Sequence, residues 1–197
     1  MIVLASASPR RRELLSLVGV PFVLRSADLD EAVLPGELPV PYVRRLAEWK
    51  ARAVAAMVNP LDHFVLAADT TVVCDDRILG KPADEGEADA MLRRLAGRWH
   101  EVLTGYCVLG PGVCLVEHVA TRVELRHVRD EERRAYVASR EWDGKAGGYA
   151  IQGIASALVR QIEGSYSNVV GLPVCEVVES LRAAGALPAT WQLGGAA

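Results

Sequence analysis

The hydrophobic pattern at the start of the chain predicts a strand that runs directly into a helix. In the stretch LASASPRRRELL, residues 4–15, an apolar lead-in ends at two alternating serines. Ser8 is a suitable N-cap, and Pro9 falls at the first helical position, where its missing N–H costs nothing. Gly19 then fits a helix C-cap, and the apolar run VPFVL predicts a second strand.

The next segment predicts a polar connection followed by a longer helix. Residues 26–41 are rich in proline and in acidic side chains, which is typical of a loop. Over residues 42–58 apolar positions recur at nearly 3.6-residue spacing, which predicts an amphipathic helix ended by Asn59 and Pro60.

The middle of the chain predicts strands around one further helix. The run HFVLAADTTVVCDDRILGKP predicts a buried strand that is interrupted at Asp69, more strand, and a turn at Asp75 and Asp76. A helix is predicted over residues 84–97. Two strands, residues 99–109 and 113–126, follow it and are joined by GPG as a hairpin.

The remaining pattern completes an α/β fold. It predicts a short helix at RDEERRAYVAS, a glycine-rich loop at REWDGKAGGYAIQG, a strand at SALVRQI and a last helix. A long hairpin among strand–helix units indicates a mixed β-sheet flanked by helices. The length of 197 residues fits a single domain over residues 1–185 and a C-terminal tail over residues 186–197, which we expect to fray.

Composition and charge narrow the function classes. A net charge of −3 and a pI of about 5.8 are unlike the basic excess of nucleic-acid binders. No apolar run reaches the roughly 20 residues that span a bilayer, and the start lacks a signal-peptide pattern. We therefore expect a cytoplasmic protein without a membrane partner. The four cysteines form no CxxC pair, which favours reduced, buried thiols: Cys74, Cys107, Cys114 and Cys175.

Three arginines occupy the first predicted turn of the first helix, where the helix dipole disfavours cations. Any one of Arg10, Arg11 and Arg12 could simply be solvated, at a cost of about a few tenths of a kcal/mol. Taken together, the two serines, the free backbone N–H groups and the clustered guanidiniums predict an anion site, with phosphate or polyphosphate as its ligand.

Acidic and basic groups elsewhere fit the same ligand. Asp69 follows the apolar run FVLAA, and ligand sites in open α/β sheets lie at the carboxyl ends of strands. It is either a metal ligand or general base in a cleft, or the acceptor of a local turn bond. Lys81, in LGKP, lies on a rigid loop that could approach the same cleft. Glu31 belongs either to a solvated acidic loop or to a magnesium site opposite the phosphates.

The glycine-rich loop offers a group that could recognise a nucleobase. Gln152 carries both a donor and an acceptor, and the surrounding glycines permit close backbone approach to a ligand. The four histidines lie far apart without ligand spacing, so zinc is unsupported. In combination, these features predict a nucleotide site.

The motifs also resemble a known family. LASASPRRRELL, RLAEWKA, AADTTV, LGKP, GKAGGYAIQG and GSYSNVVGLP are similar, in order, to the signature blocks of the Maf nucleoside triphosphate pyrophosphatases. These blocks span residues 4–173. The resemblance implies a fold shared with the inosine triphosphate pyrophosphatases, namely an elongated mixed sheet with a cleft between two lobes. It also implies a divalent metal, Mg²⁺ or Mn²⁺, and a homodimer.

The resemblance implies roles for individual residues. Asp69 matches the general base of the ADT block and, with Glu31, is expected to hold the metal. The residues expected on the phosphate side are Ser8, Arg11, Lys50 and Lys81. Of these, Arg11 and Lys81 are expected to be catalytic together with Asp69.

The resemblance also divides the family by substrate. The branch that acts on dTTP and UTP carries the residues found here as Arg10, Thr70 and Gln152, whereas the 7-methyl-GTP branch typically has Trp, Gln and Glu. One position departs from the family pattern, because Trp49 precedes Lys50 where Glu is frequent. Glu48 cannot replace that acid, since adjacent helical residues point about 100° apart.

The resulting expectation is hydrolysis of dTTP or UTP to the monophosphate and pyrophosphate, which clears surplus or modified nucleotides. Gln152 and Thr70 would recognise the two carbonyls and the N–H of the pyrimidine edge. Three alternatives stay open: a purine or modified nucleotide such as 7-methyl-GTP, a non-catalytic nucleotide-binding regulator of cell division, and nucleic-acid binding through residues 10–12. The acidic pI disfavours the last of these.

Overall fold

The computed structural model describes residues 1–58 and 62–194, and its described strands form one mixed sheet. In spatial order the strands are β2, β1, β3, β5, β6 and β7, and β4 pairs with the end of β3. The first three run parallel and the other pairs are antiparallel, so the predicted mixed sheet is confirmed. Their bounds are β1 Ile2–Ala5, β2 Phe22–Arg25, β3 Phe64–Cys74, β4 Arg77–Leu79, β5 Trp99–Gly110, β6 Val113–Leu125 and β7 Val159–Glu163.

Helices cover both faces of this sheet. They are α1 Pro9–Leu17, α2 Pro39–Ala55, α3 Glu85–Leu95, α4 Asp130–Ala138, α5 Tyr166–Val170 and α6 Val174–Ala183. Successive residues of a strand point to opposite faces. In β3, Val65 and Ala67 accordingly pack in the cluster that contains α2, whereas Leu66 and Ala68 pack in the larger cluster on the other face.

A glycine lets α2 lie directly on the sheet. Gly105 of β5 is paired with Asp69 of β3, and a Cβ atom at Gly105 would lie 2.3 Å from the carbonyl oxygen of Val43 in α2. Only glycine avoids this overlap with backbone. The side chain of Asp69 consequently faces α2 at close range.

The functional cleft forms at a gap in the sheet beside β3. On one edge, β3 pairs with β1 up to Leu66 and with β4 from Val72 onward. Between these two positions no described strand pairs with that edge. Side chains from both faces of β3 can therefore meet in the gap, with Asp69 on the α2 face and Thr70 on the opposite face.

Several predicted boundaries were wrong. β3 is one continuous strand through Asp69 instead of two pieces. α2 begins at Pro39, because proline is well tolerated in the first helical turn, and ends at Ala55. The predicted stop at residues 59–60 lies outside the described residues. The last helix was predicted to follow a loop at EGSYSN, but α5 begins at Tyr166 inside that stretch, and Gly171, whose φ of 129° ends α5, separates it from α6.

Two further expectations were wrong near the surface. Cys114 and Cys175 are exposed thiols, whereas Cys74 and Cys107 are buried as expected. The tail does not fray through its described part, since Trp191 donates from Nε1 to the carbonyl oxygen of Gly19 at 2.9 Å. Among the described residues, no helix combines the length and the apolar character needed to cross a membrane.

Candidate active site

One cleft of about 1140 Å³ brings together nine of the residues that the sequence singled out, whereas Arg12 is exposed and does not line it. It lies over the gap in the sheet. Its walls come from the β1–α1 connection, the loop before α2, the middle of β3, the segment after β4, the glycine-rich loop and the end of α5. The nine residues are Ser8, Arg10, Arg11, Glu31, Lys50, Asp69, Thr70, Lys81 and Gln152.

A lysine joins two carboxylates within the cleft. Lys50 Nζ lies 2.6 Å from Asp69 Oδ1 and 2.6 Å from Glu31 Oε1. The side chains of Lys50 and Asp69 are only 13% and 9% exposed, so their charges are poorly screened by water. Lys81 Nζ lies 3.5 Å from the other oxygen of Glu31. The cleft thus holds a compact chain of alternating charges.

The protonation of Glu31 follows from these neighbours. Burial raises its pKa, but the hydrogen bond and charge of Lys50, followed by those of Lys81, outweigh burial and hold the pKa below its ordinary value. Tyr42 has its pKa raised to about 12, first by burial and then by the charges of Asp69 and Glu31. Its hydroxyl stays protonated and donates to the carbonyl oxygen of Glu31 at 3.0 Å.

The arginines at the start of α1 have partners at the end of α5. Arg11 donates from Nε to the carbonyl oxygen of Gly171 at 2.8 Å, and Arg10 donates from Nε to that of Val170 at 3.3 Å. Carbonyls at a helix C-terminus carry partial negative charge. These contacts therefore offset the unfavourable interaction between the two arginines and the dipole of α1. Burial lowers the pKa of Arg11; Asp69 opposes this shift and Arg10 adds to it.

Thr70 belongs to the same network. Its hydroxyl accepts from Arg11 Nη2 at 3.0 Å and lies 2.9 Å from the hydroxyl of Thr104 and 3.2 Å from the carbonyl oxygen of Gly171. The hydroxyl that was expected to recognise the base therefore already has protein partners. Sequence reasoning missed Thr104, which lies directly opposite Thr70 in the β3–β5 register.

Gln152 is presented differently. It is exposed at the cleft, and within residues 1–58 and 62–194 its amide has no hydrogen-bonding partner. The backbone just after it is fixed, because the Glu141 carboxylate accepts from the N–H groups of Ile154 at 2.7 Å and Ala155 at 3.1 Å. The amide is available to a ligand on a restrained turn.

Ser8 stands at the N-cap position as predicted, but its hydroxyl makes no capping bond. Its backbone N–H donates instead to Ser6 Oγ at 3.2 Å. Within the described part of the chain the hydroxyl of Ser8 has no hydrogen-bonding partner, and Ser8 lines the cleft at the N-terminal end of α1, where a helix favours an anion.

The carboxylates of the cleft fit a metal that arrives with a phosphate ligand. Among the described residues, no three His, Cys, Asp or Glu side chains are grouped so as to hold a metal alone. Magnesium in nucleotide sites commonly takes one or two carboxylates and completes its shell with phosphate oxygens and water. Asp69 and Glu31 supply such a pair. Glu48 does not join them, since it pairs with Arg52 at 2.6 Å.

Two residues missed by sequence reasoning had usable signals. Gly105 interrupts an otherwise apolar strand pattern, which indicates close approach of another backbone. Tyr42 was predicted only as the first residue of its helix, yet a tyrosine hydroxyl needs a polar partner when buried. That need points to a contact at the cleft.

Comparison with known proteins places the chain in a family. The profile of Maf-like proteins matches residues 1–184. The chain belongs to the Maf family. A dTTP/UTP pyrophosphatase of Geobacter sp. (strain M21) is 54% identical to this Maf chain over 188 residues, which cover 94% of the chain and 96% of the relative. A dTTP/UTP pyrophosphatase of Hahella chejuensis is 49% identical over 185 residues, 93% of the chain and 92% of the relative.

Solved structures resemble this Maf chain more distantly. A HAM1 protein from Coxiella burnetii superposes with a TM-score of 0.49 at 17% identity, covering 93% of the chain and 98% of that protein. A dITP/XTP pyrophosphatase from Mycobacterium abscessus gives a TM-score of 0.44 at 15% identity, covering 96% and 99%. The family assignment rests on the sequence matches.

Proposed function

We propose that this Maf chain hydrolyses dTTP and UTP to the nucleoside monophosphate and pyrophosphate, and so removes surplus or modified pyrimidine nucleotides. The observation that carries the proposal is the pair of carboxylates, Asp69 and Glu31, joined by Lys50 in a cleft that also contains arginines and a second lysine. Relatives about half identical over nearly the whole chain, named for this activity, support the substrate assignment.

In the proposed reaction, water forms a new bond to phosphorus while the anhydride bond between the α- and β-phosphorus breaks. Asp69 accepts the proton that the water loses. Arg11, Lys50 and Lys81 hold the triphosphate and stabilise the charge that develops on its oxygens, which is the main source of catalysis in phosphoryl transfer. The Ser8 hydroxyl and the N-terminus of α1 add hydrogen-bond donors on the phosphate side.

Base recognition is assigned to Gln152 through hydrogen bonds and to Arg10 and Thr70 through the shape of the cleft, because the Thr70 hydroxyl already has protein partners. The free amide of Gln152 can donate to a carbonyl of uracil or thymine and accept from its N–H. Thr70 and Arg10 bound the same cleft, and both are held by the end of α5. A purine would present a different order of donors and acceptors to these groups.

The family resemblance implies Mg²⁺ or Mn²⁺, and Asp69 and Glu31 would hold it. When bound, the metal supplies positive charge that neutralises the phosphate oxygens. The resemblance also supports a homodimer and a cytoplasmic location, which analytical ultracentrifugation and cell fractionation test.

The test is release of pyrophosphate from a panel of nucleoside triphosphates with Mg²⁺ or Mn²⁺, repeated with excess chelator. Asp69→Asn is compared with Asp76→Asn, a matched change in the exposed β3–β4 turn at a φ of 59° that asparagine tolerates. We expect release from dTTP and UTP that requires metal, falls at least ~100-fold in Asp69→Asn and is unchanged in Asp76→Asn.

Other outcomes would separate the alternatives. Preferential release from purine nucleotides or 7-methyl-GTP would keep the mechanism and overturn the assigned specificity. Nucleotide binding without turnover by wild type would favour the regulator of cell division. Equal activity in Asp69→Asn and wild type would remove Asp69 from the mechanism.

A further inference from the structure

Glu31 depends on a loop that has no regular structure of its own. Residues 26–38 lie between β2 and α2 without helix or strand. The carboxylate of Glu31 nevertheless meets Lys50 at 2.6 Å. Something outside the loop must fix its backbone, because an unrestrained loop would not hold a carboxylate at one place.

That restraint comes from one face of α2. Arg45 donates from Nε and Nη2 to the two carboxylate oxygens of Glu37, each at 2.5 Å. Arg45 Nη2 also donates to the carbonyl oxygen of Ala32 at 3.1 Å, one residue after Glu31. The loop is therefore attached to α2 on both sides of the segment 33–36.

The guanidinium of Arg45 is itself held in place. It lies over the ring of Trp49 at 4.7 Å and near the ring of Tyr42 at 5.6 Å, and these residues are its neighbours at i+4 and i−3 on the helix. The Arg45 and Glu37 side chains are only 14% and 8% exposed. A bidentate, stacked and shielded arginine gives an orientation that a mobile surface pair does not.

We propose that Arg45 is a positioning residue for Glu31, acting through Glu37, the Ala32 carbonyl and the ring of Trp49. This set of contacts is called the loop clamp below. It assigns a function to Arg45 in the block RLAEWKA, a residue that the reaction itself does not use. It also gives a role to Trp49, which stands where Glu is frequent in the family. Trp49 contributes no carboxylate, but its ring supports Arg45 and so the loop. The inference rests on the proposed function for its activity readout.

The test is a double-mutant cycle between the loop clamp and Glu31. Removing Arg45 alone would leave the partly buried carboxylate of Glu37 without its cation, so the clamp variant carries Arg45→Met with Glu37→Gln, which removes both charges together. The matched control is Arg122→Met with Glu163→Gln. That ion pair has a similar length, 2.6 Å, and Arg122 lies over a tryptophan ring at 4.6 Å, but the pair is more exposed and lies outside the cleft.

We expect the clamp variant to lower kcat/KM for UTP about 10-fold in the wild-type background and less than about twofold in a Glu31→Gln background. The control pair should change neither value. Arg45→Lys, which retains the charge but loses the fork and the stack, should fall between wild type and the clamp variant. Equal effects of the clamp variant with and without Glu31 would overturn the inference, as would unchanged activity.

A second readout does not depend on turnover. Native-state digestion with a glutamate-specific protease reports opening of the loop, because Glu31 and Glu37 both lie in it and the clamp variant retains Glu31. We expect faster cleavage after Glu31 in the clamp variant than in wild type or the control pair. If wild type hydrolyses no nucleotide, the proposed function fails, and this digestion still tests the loop clamp. Equal rates of cleavage after Glu31 in wild type and the clamp variant would contradict the loop clamp.

Discussion

Gly105→Ala is the substitution that most directly tests how α2 is placed against the active site. The added Cβ would lie 2.3 Å from the carbonyl oxygen of Val43 and 2.8 Å from the backbone nitrogen of Arg44. Backbone atoms cannot rotate away, so α2 must retreat by about 1 Å to reach ordinary contact. Lys50 lies on the same helix and holds Asp69 at 2.6 Å, so this retreat would separate them.

The expected cost has two parts. Overpacking of this kind destabilises a protein by about 1–3 kcal/mol, and a misplacement near 1 Å can cost ~100-fold in rate. Urea unfolding and kcat/KM for UTP measure the two separately. Gly86→Ala is the control, because its Cβ would meet only Asp84 Oδ1 at 3.3 Å near the start of α3, away from the cleft. Gly105→Ala with wild-type stability and kcat/KM would refute the reasoning.

Three further predictions concern other parts of the site and its support. Burial lowers the pKa of His100 to about 4, below its ordinary value near 6.5, so the unfolded chain binds the proton first as pH falls. As the pH falls from 7 to 5, His100 should therefore lower the free energy of unfolding by about 2 kcal/mol. Urea unfolding at both pH values should show this decrease for wild type, and His100→Gln should lose this part of it. Arg11→Lys should lower kcat/KM for UTP at least ~10-fold, because a lysine cannot bond to Gly171, Ser6 and Thr70 together. Arg12 is exposed, so the control Arg12→Lys should leave kcat/KM unchanged. Gly147→Ala should unfold at lower urea concentration than wild type, because its φ is +69° and a Cβ would meet Val72 at 2.7 Å.

Local pattern was sufficient for much of the fold. The β5–β6 hairpin and the helix closed by Gly97 follow from signals within a few residues, and the structure confirms both. The continuous strand β3 does not follow from such signals. Asp69 and Thr70 interrupt an apolar run, which favours a break, but the gap between β1 and β4 opens one edge of the strand. Polar side chains can lie there without ending the strand.

The cleft residues were predictable as a set, whereas their partners were not. Each motif marks a group suited to phosphate, metal or base, and the fold brings all nine to one cavity. The pairing of Arg11 with Thr70 and Gly171 joins positions 59 and 160 residues apart. The support of Glu31 by Arg45 likewise depends on how the loop folds back on α2. Such contacts are set by tertiary packing and leave no local pattern in the chain.

The arginines at the start of α1 show how the two levels combine. Within the helix alone, Arg10 and Arg11 oppose the dipole. In the folded chain their guanidiniums attach α1 to the carbonyl end of α5, which offsets that opposition without an external anion. A guanidinium has five N–H donors, and Arg11 uses three of them on Gly171, Ser6 and Thr70. Two remain for the cleft, on a cation whose orientation is already fixed. A triphosphate would therefore bind beside a guanidinium that does not have to move during the reaction. Electrostatic stabilisation of a transition state is most effective when the charged groups are already in place.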